Sequence, residues 1–159
     1  MNRRIVIVAA SVAAVLAGCG SGTSAGPGAT AAGTTSVSSL TCKQRYLAWE
    51  HGPAHADADQ FIAAQKGLQA AGSTDKIPAI TAAAKTEGVA AARFAHYPVP
   101  ACADPHGYLA ALLGDVQAAA ASAGTAKGLP GLVQALAPRK QVPELESEYT
   151  AELKRTTGL

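Results

Sequence analysis

The chain has 159 residues and a formal charge of +2, with 48% hydrophobic, 15% charged and 4% aromatic residues. Two of its thirteen basic residues are Arg3 and Arg4, and the remaining eleven are matched by eleven acidic ones. That balance leaves no basic footprint for nucleic acid and no polybasic clamp for a membrane surface. Alanine, the best intrinsic helix former, is abundant, while Ile and Val are sparse beyond residue 18, so the composition predicts an all-α fold.

The N-terminus reads as an export signal. Arg3 and Arg4 form a positive region, a largely apolar run follows from Ile5 to Val15, and Leu16-Ala17-Gly18-Cys19 closes it. As a helix the apolar run is about 16 Å long, far short of the roughly 30 Å of a bilayer core. Leu16-Ala17-Gly18-Cys19 resembles the lipobox of bacterial lipoproteins. The resemblance implies cleavage after residue 18 and a diacylglycerol thioether on Cys19, which anchors the chain to membrane lipid from the extracytoplasmic face. Arg3-Arg4 also matches, loosely, a twin-arginine export signal. Two acyl chains suffice for stable anchoring, and no later stretch is apolar for long enough to span a membrane.

After Cys19, residues 20–40 are Gly, Ser, Thr and Ala apart from Pro27, Val37 and Leu40, and carry no charge; 19–40 form one segment. Such a stretch predicts a flexible tether, with an r.m.s. span of about 25 Å and hydroxyls open to O-glycosylation. Residues 41–159 are then one domain.

Within that domain the pattern predicts four main helices. Thr41 caps a first helix, which Gly52-Pro53 kinks or breaks. Ala54, Ala58, Phe61, Ile62, Gln65 and Leu68 continue it at helical spacing to about Ala71. Ser73-Thr74-Asp75 is expected to cap the second helix, whose stripe is Ile77, Ile80, Ala84, Ala91 and Phe94. Gly88 there is expected to cost about 1 kcal/mol relative to Ala. Tyr97-Pro98-Val99-Pro100 stops it, and Asp104-Pro105 is expected to start a third helix carrying Leu109, Leu112, Leu113 and Val116. Gly128-Leu129-Pro130-Gly131 opens an irregular stretch in which Leu132, Val133 and Leu136 fit two turns. Pro143 starts the last helix, with Val142, Leu145, Tyr149 and Leu153 on one side. Glu144, Glu146 and Glu148 lie near its positive end, and Lys154 and Arg155 near its negative end. Short connections favour an antiparallel four-helix bundle.

With Cys19 assigned to lipid, Cys42 and Cys102 remain, an even pair in an exported chain, and read as a disulfide. Two free thiols, or a metal pair with histidines, are the alternatives. In an antiparallel bundle both cysteines sit at one end, and the bond removes roughly 4 kcal/mol of unfolded-state entropy. The layout as a whole resembles a group of small Ala-rich lipoproteins of actinobacteria. The likeness is carried by Cys42, Tyr46, Trp49-Glu50-His51-Gly52-Pro53-Ala54, Tyr97-Pro98-Val99-Pro100-Ala101-Cys102 and Pro143-Glu144-Leu145-Glu146. It implies fold and anchoring and brings no activity with it.

Few residues point to chemistry. His51 and His55 are four apart, a spacing zinc or copper accepts on a straight helix, but Pro53 interrupts them. His55 with Asp59 also reads as a surface pair. His96 and His106 flank Cys102, where a bundle can hold haem or metal; C-x-x-C-H is missing from the sequence, and its single Met is residue 1. Trp49 reads as a packing anchor against Tyr46 and the Pro-rich turn, with the lining of a ligand cleft as the alternative. No G-x-S-x-G or phosphate-loop motif occurs, so neither enzymatic activity nor a cofactor is expected. The expected function is a membrane-anchored cell-surface lipoprotein whose bundle binds an envelope protein or small ligand or serves a structural role. A metal- or haem-binding bundle is the alternative.

Overall fold

A computed structural model describes residues 40–159. The expected signal segment 1–18, Cys19 and all of the tether except Leu40 lie outside the described residues. The described chain is all-helical: α1 Cys42–Glu50, α2 Ala54–Gly72, α3 Ile77–Phe94, α4 Tyr108–Ala123, α5 Gly128–Ala135, a 3-10 helix Ala137–Gln141 and α6 Val142–Thr157. Among the described residues there is no strand.

Local chemistry sets most of the boundaries. Thr41 and Gln44 form a reciprocal capping box at the start of α1. A turn at 51–53 separates α1 from α2, where Pro53 lacks the amide that a continuous helix would need. Ser73 and Thr74 act on α2 rather than α3. Their hydroxyls donate back to the carbonyls of Ala70 and Ala71, each at 2.7 Å, which satisfies acceptors at the α2 C-terminus. The residue preceding α3 is Lys76 in an extended conformation, without a side-chain cap. Asp104 does cap α4, but from further away than a cap followed by an N1 proline. Pro105 and His106 turn, Gly107 takes φ 72°, and the helix begins at Tyr108. The stretch around Pro130 is a full helix, α5, because Pro130 falls in its first turn, where the missing amide has no partner to lose.

α2 packs on α3, α3 on α4, and α4 on α6, with α1 lying against α2 and α6. Two apolar clusters result. One gathers Phe61, Phe94, Leu109, Leu112, Leu113, Val116 and Val142, with Trp49 and Tyr149 against it. The other gathers Leu68, Ile80, Ala84, Ala123, Leu132 and Ala135. The α3–α4 contact is close at Gly88, where an added Cβ would stand 2.3 Å from the Cβ of Ala120. Gly88 is therefore required by packing, which corrects its expected role as a mere weak point in the helix. Gly88→Ala should lower the melting temperature although Gly→Ala in a free helix stabilises by about 1 kcal/mol. Overpacking costs about 1–3 kcal/mol, and adding Ala120→Gly should restore most of that loss. Thermal melts of both variants check the sign.

Candidate functional site

The features with most chemical content lie where α1, α6 and the 95–107 connection meet. Cys42 and Cys102 form a disulfide with Cα atoms 5.7 Å apart, closing a sequence separation of 60 residues. Trp49 donates its indole N–H to the Tyr97 carbonyl at 2.9 Å. Its ring lies 5.5 Å from Tyr46 and 5.9 Å from Phe94, and Phe94 lies 6.2 Å from Phe61. The tryptophan thus anchors α1 against both Tyr46 and the Pro-rich turn, satisfying its polar edge while its rings are part-buried against Tyr46 and Phe94.

The Tyr46 and Tyr149 phenols interact, joining α1 to α6. Burial raises the Tyr149 phenol far above its usual range, and the nearby Tyr46, Asp104 and Glu50 push the same way. Burial also raises Tyr46; its interaction with Tyr149 opposes this and Glu50 adds to it. Asp104 is buried beside them. Its two carboxylate oxygens accept the amides of Tyr108 at 2.9 Å and Leu109 at 3.0 Å, so the negative charge rests on the α4 N-terminus.

A second buried polar pair lies on α3. Glu87 is 1% exposed and bonds to Arg139 of the 3-10 helix. Its other oxygen, Oε1, is buried without a hydrogen-bond partner. The pair pins the 3-10 helix to α3. The sequence showed Glu87 only as a lone acid in an Ala-rich helix, with Arg139 far along the chain, so the pair was not foreseen.

The histidines are not drawn inward. His51, His55, His96 and His106 are all exposed. His51 is the C-cap of α1, whereas His55 is in the first turn of α2, so the two stand on different helices. His55 lies 3.7 Å from Asp59 as an exposed pair. Among the described residues no group of three or more His, Cys, Asp or Glu is placed to hold a metal. Two open grooves, of about 710 and 750 Å³, flank α3. Both are lined mainly by small side chains, share Lys85 and Val89, and contain no His, Cys, Asp or Glu. No described helix is long and apolar enough to cross a membrane. The chain matches no family model, no curated protein and no solved structure.

Two measurements probe these buried groups. Arg139→Met strands a buried carboxylate and should cost about 3–5 kcal/mol, whereas Glu87→Leu combined with Arg139→Met should recover most of it; denaturant melts give both values. Tyr46 and Tyr149, raised above the ordinary phenol value near 10, stabilise the fold fully below that pH. Their contribution is lost as pH rises towards their folded values, because the unfolded chain ionises first. Their phenolate absorbance, taken as the difference from a variant with both changed to Phe, should therefore develop together with loss of helical circular dichroism.

Proposed function

We infer that the chain is a lipid-anchored extracytoplasmic protein, held to membrane lipid through Cys19, with a helical domain that serves the envelope as a binding or structural module. In this reading residues 1–18 are the lipoprotein signal, 19–40 the tether and 41–159 the domain. The protein is one of the small Ala-rich lipoproteins of actinobacterial type. The domain is an antiparallel four-helix bundle in which α1 and α2 are two limbs of one helix kinked at Gly52-Pro53, with α3, α4 and α6 as the others. The serial packing of α2 on α3, α3 on α4 and α4 on α6 supports that arrangement.

The observation that carries the reading is the Cys42–Cys102 disulfide. Structural disulfides belong to oxidising compartments, and the signal pattern at residues 3–19 is what delivers a chain to one. With two cysteines joined to each other, Cys19 is the remaining thiol of the chain, and it follows Leu16-Ala17-Gly18. In this reading the domain acts by binding or by shape. Its buried carboxylates hold the fold together: Glu87 bonds to Arg139, Asp104 to the start of α4 and Glu152 to Arg155.

Expression in a bacterium fed an alkyne-tagged palmitate tests the anchor. Wild type should carry the tag and partition into membranes, and Cys19→Ser should lose both. Tagging that persists in Cys19→Ser, or an untagged wild type, overturns the reading.

A further inference from the structure

We propose that the Cys42–Cys102 bond is a thiol-responsive latch, whose reduction frees α1 and uncovers the aromatic end of the domain while the other end stays folded. α1 is a short arm of 9 residues. It is joined covalently at two places: the turn at 51–53, and the disulfide at its first residue. Only one α1 side chain, Tyr46, is fully buried, and Lys43, Gln44, Arg45 and Ala48 face solvent. Its non-covalent hold is the burial of Tyr46, the Trp49 contact with Phe94 and the Trp49 bond to the Tyr97 carbonyl. A free helix of this length is marginal in water.

The two apolar clusters make the release local. Trp49 packs on the cluster containing Phe61 and Phe94. The cluster of Leu68, Ile80, Ala84, Ala123, Leu132 and Ala135 has no α1 residue in it or against it. Losing α1 therefore bares Phe94 and Tyr149 and leaves the second cluster with all of its contacts. Both cysteines are part-exposed, so an external thiol reaches the bond. The reductant is a dithiol. One thiolate attacks the Cys42–Cys102 bond and forms a mixed disulfide with one cysteine, and the other cysteine leaves and takes up a proton. The second thiol of the reductant then closes its own disulfide and releases the first cysteine. Two electrons and two protons end on Cys42 and Cys102. The latch does not depend on lipid at Cys19.

Trp49 is the single tryptophan of the chain, so its fluorescence reports α1 directly. The full chain is treated with dithiothreitol, and the Cys42→Ser/Cys102→Ser variant is measured beside it. Both should show Trp49 emission at longer wavelength and severalfold greater acrylamide quenching. Loss of helical circular dichroism should be confined to the share of α1. Amide exchange should speed up at least tenfold over 42–52 and remain slow in α3 between Ile80 and Ala91. Unchanged Trp49 emission and quenching after complete reduction, shown by thiol counting, overturns the proposal. So does loss of α3 protection together with α1, since the bond would then hold the whole fold rather than a latch.

Discussion

The approach of α3 to α4 at Gly88 and Ala120 is the constraint from which the rest of the packing follows. A chain with few aromatic side chains and many alanines cannot fill wide gaps between helices. Close packing is the condition for core dispersion contacts, so the helices must come together until short side chains touch. Gly88 removes the one Cβ that would hold α3 and α4 apart. Ala84, Ala91, Ala119 and Ala123 are then buried on the two helices as core residues in their own right. The larger side chains sit beyond this seam, in one cluster around Phe61 and Phe94 and another around Leu68 and Leu132.

The buried polar groups secure pieces that this seam does not reach. Glu87, next to Gly88, holds the 3-10 helix through Arg139. Asp104 fixes where α4 begins. Tyr46 with Tyr149, and Trp49 with Tyr97, hold α1 to α6 and to the Pro-rich connection. Gln65 adds a bond at 3.2 Å from α2 to Glu146 of α6. Apart from the local cap at Asp104, each is a directional contact spanning parts distant in sequence. Such contacts determine how the short elements sit without adding much apolar area.

Helical class, the long helices and the apolar stripes were legible because they depend on periodicity and on breakers such as Gly52-Pro53 and Pro98. Trp49 was legible because an indole beside a tyrosine and a proline-rich turn needs both a packing surface and an acceptor. The cysteine pairing followed from counting. What was hidden depended on neighbours remote in the chain. Gly88 looks costly in isolation and becomes necessary only opposite Ala120. Ser73 and Thr74 carry cap chemistry that serves the preceding helix as readily as the next. Pro130 reads as a breaker until it is seen in a first turn. The partnership of Glu87 with Arg139 has no local signature.

The position of the disulfide also has a mechanical meaning. Cys42 is the first residue of the first described helix, so a pull from the N-terminal side enters the fold there. Without a bond at that point, the load would peel α1 away one turn at a time and then reach the turn at 51–53. With it, the force passes straight through sulfur to Cys102 and spreads into the connection between α3 and α4. That connection is itself tied down by Trp49, whose indole N–H donates to the Tyr97 carbonyl at 2.9 Å. Tension thus passes to the body of the domain and bypasses the backbone of the short arm that receives it.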